Sequence, residues 1–245
     1  MEETAEDATA RVASLSATLV AELARRDAHD LVRSSLWPTV GAVAGHVTSI
    51  YGWVTTILQT GSPADRTESP LESNTMVATV EHARQALIDE LALDDRPCWI
   101  IGGGDGTTAF WRRRMALESL KHLLDLRTAP TERFAVPPEL DVSLAVDGVD
   151  EFLQVFLARN RSRLTPLPGS VVLRASDAPH AWRVSADWVI TAADSDGADA
   201  VIESSAAELL LLLWERASVR DEGDRFGITG DHAVVAALES TPIHR

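Results

Sequence analysis

Phe110-Trp111-Arg112-Arg113-Arg114-Met115-Ala116-Leu117-Glu118-Ser119-Leu120-Lys121-His122 is the segment on which the reading of the N-terminal half turns. It lies within a helix expected over residues 107–126. Glu118 and His122 sit four apart, so both side chains leave one face, a turn from each other. A carboxylate and an imidazole at that spacing can bind one divalent metal. Asp125, three residues further on the same stripe, is placed to orient His122 from behind. Met115 and Leu126 flank the stripe on one side, Leu117 and Phe110 on the other. Polar groups framed by apolar ones are expensive to bury without a partner, and a metal supplies one. Arg114 and Lys121 lie nearby and are expected to keep part of the stripe wet. Taken alone, Glu-x-x-x-His is commonplace, and a solvated i,i+4 pair is its ordinary meaning.

Working outward, helical spacing recurs over residues 9–26 (Val12, Leu15, Leu19, Val20, Leu23), 39–59 (Val43, His46, Val47, Ile50, Trp53, Val54, Ile57) and 75–93 (Val77, Val80, Ala83, Leu87, Leu91). Pro38 suits the entry to the second of these. A polar stretch with Pro63 and Pro70 ends it, and Pro97 with Gly102, Gly103, Gly104 and Gly106 separates the third from the fourth. Four amphipathic helices with a long link between the second and third predict a four-helix bundle with one crossover. Residues 128–140, with Pro130, Pro137 and Pro138, are expected to link it to a second domain.

Beyond the link the pattern changes. Residues 142–146 alternate like a short strand, and 149–157 read as helix. Residues 170–175 and 182–184 read as paired strands, and 188–191 and 200–202 continue a sheet. Ser205-Ala206-Ala207-Glu208 matches a capping box ahead of a Leu-rich helix, and a last short helix fits 232–238. The expected class is α+β, with a metal-binding bundle at 1–130 and an α+β domain at 140–245.

The chain has 245 residues, enough for a large core, with 22 basic and 37 acidic residues for a net charge of −15. Such a field repels nucleic acid and anionic membrane, so neither is an expected partner. The single cysteine, Cys98, excludes an intramolecular disulfide and a Cys-rich zinc module. An acidic N-terminus is unlike a signal peptide, and no apolar run is long enough to span a bilayer. A reducing, cytoplasmic setting is expected.

His46 stands among Ala42, Val43, Ile50, Trp53 and Ile57 on its helix wheel. A histidine there is commonly a core residue with a local hydrogen bond. The alternative is that it points into the bundle and meets Glu118 and His122. Two histidines and one glutamate would leave a coordination position open, as catalytic zinc sites do.

Leu36-Trp37-Pro38-Thr39-Val40, Ala44-Gly45-His46-Val47 and the segment 110–122 together resemble the mycothiol-dependent maleylpyruvate isomerase family. Later segments, Val146-Asp147-Gly148-Val149-Asp150-Glu151-Phe152-Leu153, Leu173-Arg174-Ala175 and Leu211-Leu212-Leu213-Trp214, resemble its smaller C-terminal domain. The resemblance implies a DinB-like N-terminal bundle with one Zn2+ held by His46, Glu118 and His122. It also implies a low-molecular-weight thiol, mycothiol, that attacks a small electrophile, giving cis–trans isomerisation or thiol transfer. Leu117 and Leu123 depart from residues the family often carries there, His and Arg, which affects the usual substrate and thiol contacts rather than the ligands.

Cys98, beside Trp99, Ile100 and Ile101, reads as a small buried apolar residue. Residues 102–106 lack the Walker lysine and the dinucleotide glycine spacing, and read as a flexible loop that could rim the site. Arg112, Arg113 and Arg114 read as a solvated helix start or as carboxylate captors; Arg114 is one candidate for substrate contact. Arg216 is another, against its simpler role as a helix-end cation. His29, His82, His180, His232 and His244 have no ligand-like partners. Asp194, Asp196, Asp199 and Glu203 match no EF-hand spacing and read as a solvated acidic edge. Two rival functions stay open: a non-catalytic ligand- or partner-binding protein, and a hydrolase using zinc-bound water. A monomer or homodimer is expected.

Overall fold

The computed structural model describes residues 4–34, 36–192 and 197–243. Four helices build the first of two units, Met1–Ala135. They are α1 (Ala5–Leu23), α2 (Val40–Thr60), α3 (Ser73–Leu91) and α4 (Thr108–Arg127). Thr4, Thr39 and Thr107 cap α1, α2 and α4, each hydroxyl accepting a backbone N–H of the first turn. Helices α1 and α2 each pack against both α3 and α4.

Side-chain contacts fix the directions. Gln59 donates to Glu90 (3.0 Å) where α2 and α3 end, and the Ala28 N–H reaches Ser73 Oγ (2.9 Å) where α3 begins, close ahead of α2. The two helices therefore run the same way. The return between them is made by residues 61–72, which lie back along α2 as an extended strap. Trp53 Nε1 donates to the Ala64 carbonyl (2.8 Å), Ser49 Oγ to that of Thr67 (2.5 Å), and the Leu71 N–H to that of Gly41 (3.0 Å). This strap is the single crossover expected of the bundle.

Two glycines on α2 admit the strap. A Cβ built on Gly41 would collide with the Leu71 carbonyl oxygen, and one on Gly45 with that of Ser69. Both obstacles are backbone, which cannot swing aside. Gly61 starts the strap in the left-handed region, at φ 69°, a conformation costly for residues with a Cβ.

Between α3 and α4 lies a hairpin, β1 (Pro97–Ile100) with β2 (Gly104–Thr107). The glycine-rich loop expected there is thus partly strand. Gly102 and Gly103, both at positive φ, form its turn. The hairpin adjoins the start of α4, roughly 15 Å along the axis from Glu118 at 1.5 Å per residue, so it does not rim that part of the helix. Cys98 is buried in β1. Trp53, Trp99 and Trp111 meet edge to face or tilted at this end of the bundle, with centroids 5.4–6.4 Å apart.

The second unit is Val136–Arg245, its boundary inside the Pro-rich stretch. Residues 142–146, expected as a strand, are helical. Helix α5 (Val142–Glu151) starts on Asp141, whose carboxylate accepts the Leu144 N–H. Its buried residues include Leu144, Ala145, Gly148 and Val149, a helical spacing; the alternation over five residues was too short to separate the two periods. The helix passes through a π turn (Phe152–Leu157) into a single turn, α6 (Ala158–Asn160).

A five-stranded sheet follows in the order β5-β4-β3-β6-β7. Its strands are β3 (Val171–Ala175), β4 (Ala181–Val184), β5 (Ile190–Ala192), β6 (Ala200–Ser204) and β7 (Gly227–Gly230). The expected β3–β4 hairpin is present, with Leu173 opposite Trp182, and β3 and β6 pair in parallel. Strand β7 escaped the sequence reading because Gly-Ile-Thr-Gly carries one apolar residue and no alternation. Helix α7 (Ala206–Leu213), capped by Ser205, packs on β3, β6 and α5; α8 (His232–Ser240) packs on β6. The architecture is α+β, and no helix among the described residues is long and apolar enough to cross a membrane.

Gly45→Ala is expected to destabilise the protein by about 1–3 kcal/mol through overpacking against the strap. Gly52→Ala, on an exposed face of α2 with open space around it, should instead stabilise by roughly 0.5–1 kcal/mol. Urea denaturation of the two variants checks the opposite signs.

Candidate metal centre

Helices α2 and α4 are neighbours, and their contact brings His46 to Glu118 and His122. His46 Nε2 and His122 Nε2 each lie 3.1 Å from the same oxygen, Glu118 Oε1. All three side chains are buried, with a ligand atom of each within 4.8 Å of the others. The solvated i,i+4 pair that Glu-x-x-x-His ordinarily signifies is therefore not what α4 presents. The expected stripe is largely buried, because α4 packs in the bundle with most of its surface covered.

The outer nitrogens are also faced by carboxylates. Asp125 Oδ2, fully buried, lies 3.1 Å from His122 Nδ1, the orienting position its spacing suggested. Glu68 Oε2, delivered by the strap, lies 2.8 Å from His46 Nδ1. Its other oxygen accepts Trp37 Nε1–H at 2.5 Å. Trp37 covers a face of His46, ring centroids 3.8 Å apart, and meets His122 edge-on at 5.1 Å. Neither Glu68 nor Trp37 stood out as a site residue in the sequence. Glu68 falls in a polar link, 22 residues from its partner. The one trace of its approach is Gly41 and Gly45, four apart beside His46.

These contacts test whether a cation fits. A neutral imidazole has one N–H to donate, yet each ring is faced by carboxylate oxygen at both nitrogens. Protonating both rings would place two positive charges in rings 4.7 Å apart. Burial opposes this at His46, whose pKa it pushes below the ordinary value against the pull of Glu118. A divalent cation would resolve the conflict: each Nδ1–H would go to its outer carboxylate and each Nε2 lone pair would be left for the ion. The spacing agrees, since two donors ~2.0–2.1 Å from one tetrahedral ion lie about 3.3 Å apart. The donor set of two imidazoles and one carboxylate suits zinc.

Glu118 is held charged. Burial alone would raise its pKa, but Arg114, His122 and His46 override this and keep it well below the usual carboxylate range. Arg114 donates to Oε2, leaving Oε1 to the histidines. Arg114 is therefore buried against a candidate ligand, not part of a solvated helix start. Arg112 is buried as well, bonding the carbonyls of Leu91 and Leu93 (2.9 and 2.7 Å) at the end of α3. Arg216, in the second unit, donates to the Trp214 carbonyl (2.6 Å) at the end of α7.

The remaining sequence candidates stay local. His180 stacks on Trp182, while His29, His82 and His232 are exposed. Asp199 accepts from Ser170, and Glu203 pairs with Arg174. Asp194, Asp196 and His244 lie outside the described residues.

Residues 143–237 match the sequence profile described as the MDMPI C-terminal domain. Two solved structures share the fold across 92% of this chain and 93% of theirs. One is the crystal structure of the mycothiol-dependent maleylpyruvate isomerase, at 14% identity and TM-score 0.63. The other is a histidine-to-alanine mutant of that isomerase, at 13% identity and TM-score 0.64. No curated protein matches in sequence.

Removing one partner of a buried ion pair strands the other, at about 3–5 kcal/mol. Arg114→Met is accordingly expected to lower stability by that order, measured by urea denaturation of metal-free protein. The Glu118 pKa should rise in the same variant.

Proposed function

We infer that this chain, whose residues 143–237 match the MDMPI C-terminal domain and whose fold is that of the mycothiol-dependent maleylpyruvate isomerase, is a zinc-dependent enzyme. Its thiol is small and mycothiol-like. Its substrate is a small electrophile, and the reaction is cis–trans isomerisation or thiol S-transfer in the cytoplasm. One observation carries this reading: three ligand atoms from α2 and α4 converge inside the bundle. His46, Glu118 and His122 would hold the ion, leaving a coordination position for sulfur. Zinc bound there would lower the pKa of a thiol from about 8.5, making thiolate available at neutral pH.

The chain's own residues prepare the site. Asp125 lies 3.1 Å from His122 Nδ1, where accepting its proton would keep the Nε2 lone pair free for an ion. Arg114 occupies Glu118 Oε2, so that the carboxylate offers one oxygen and does not spread over a second position. Trp37 shields His46 and restricts water on that side. The nucleophile is not Cys98, which is buried in the β1–β2 hairpin and whose thiol pKa burial raises. A diffusible thiol takes that role.

Elemental analysis should find about one zinc per chain, lost in His46→Ala and His122→Ala. Zinc-loaded protein should convert maleylpyruvate, or form adducts from a panel of electrophiles, only when mycothiol is present, with adducts followed by mass. A chain that holds no zinc overturns the reading. Ester turnover that ignores added thiol would favour a hydrolase instead.

A further inference from the structure

The strap over α2 is pinned at several points, and one differs in kind from the others. Trp53, Ser49 and Gly41 hold it by neutral hydrogen bonds that involve backbone groups. Glu68 instead reaches two side chains of the site, with Oε1 on the Trp37 indole N–H and Oε2 on His46 Nδ1. A carboxylate only accepts. At 2.8 Å Glu68 offers the His46 proton an acceptor at Nδ1, the position it must take if Nε2 is to give its lone pair to a metal. Without Glu68 a neutral ring is free to carry its proton on Nε2, facing Glu118 Oε1 at 3.1 Å. That tautomer makes a good hydrogen bond to a buried carboxylate and offers a metal no lone pair.

We propose that Glu68 is a positioning residue that selects the metal-binding tautomer of His46, and that through it strap seating and metal binding are one coupled event. The proposal rests on the metal reading above. Coupling of this kind is reciprocal: whatever factor the seated strap adds to metal affinity, bound metal adds to strap seating. Gly41 and Gly45 take part indirectly, because a Cβ at either would lift the strap backbone that carries Glu68. Trp37 takes part by holding the second carboxylate oxygen. Arg66, two residues away and 3.8 Å from Glu68 Oε2, is partly exposed and gives trypsin a cleavage point within the strap.

The test compares wild type, Glu68→Ala, Glu68→Gln, Trp37→Phe and His122→Ala. Zinc affinity is read by competition with a chromogenic chelator, and tryptic cleavage after Arg66 is followed with and without zinc. Glu68→Ala should lose about 10–100-fold in zinc affinity. Glu68→Gln should lose less, since one oxygen still accepts, and Trp37→Phe less again. Zinc should slow cleavage after Arg66 in wild type and fail to do so in Glu68→Ala. Thermal melts of the zinc-free proteins establish that the variants fold. Should the alanine variant not fold, the near-isosteric glutamine variant carries the test. Zinc held as tightly by both Glu68 variants as by wild type, with cleavage after Arg66 indifferent to zinc, overturns the proposal and leaves the metal reading standing. Wild type without zinc, or His122→Ala binding as tightly as wild type, overturns the metal reading and the proposal with it.

Discussion

A single carboxylate oxygen buried between two imidazole nitrogens sets the terms for the rest of the N-terminal unit. Glu118 Oε1 lies 3.1 Å from both His46 Nε2 and His122 Nε2, away from the water that would otherwise solvate a charge. A buried carboxylate is tolerated only when paired and hydrogen-bonded. Arg114 supplies the pairing, Asp125 and Glu68 orient the imidazoles, and a dication fits the remaining demand. These groups come from three places in the bundle: Arg114, Glu118, His122 and Asp125 from α4, His46 from α2, and Glu68 from the strap. The polar interior of α4 thus fixes which elements must lie close to it.

The topology meets that demand with one device, the long return between α2 and α3. Because these helices run in the same direction, 12 residues must travel back along α2, and a connection that close to a helix needs small residues beneath it. Gly41 and Gly45 supply them, and Glu68 arrives at His46 as a consequence. A connection forced by topology thereby becomes a wall of the site. The fold is shared with the mycothiol-dependent maleylpyruvate isomerase at only 14% identity. Fold alone does not carry function, and the functional reading stands on the site's own geometry.

Legibility in the sequence followed the length of each pattern. The four long helices could be read from apolar spacing repeated over several turns, and the crossover from the length of the second link. Short elements were legible where apolar residues ran together, as in β3, β4, β6 and α8, and were missed elsewhere. Residues 142–146 satisfied strand and helix alternation equally, and β2 and β7, rich in glycine, showed no period at all. At the site, Glu118, His122 and Asp125 were legible together because a helix fixes the relation of residues three and four apart. His46 could be identified as a histidine on an apolar face, but its spacing left a core role open. Glu68 and Trp37 left no comparable signal, since nothing local constrains where a loop carboxylate or an indole ends up.

By itself, then, the sequence determined an α+β chain with an N-terminal helical bundle, a switch of pattern after a Pro-rich link, and a carboxylate–imidazole–carboxylate stripe on one helix. These are consequences of local periodicity, which the backbone imposes wherever the helix sits. Tertiary structure decided that the stripe is buried, that His46 crosses from α2 to share Glu118, that Arg114 is consumed by that carboxylate, and that the strap brings Glu68 behind the ring. Those are facts about which surfaces exclude water together, and helical repetition along a chain cannot encode them residue by residue.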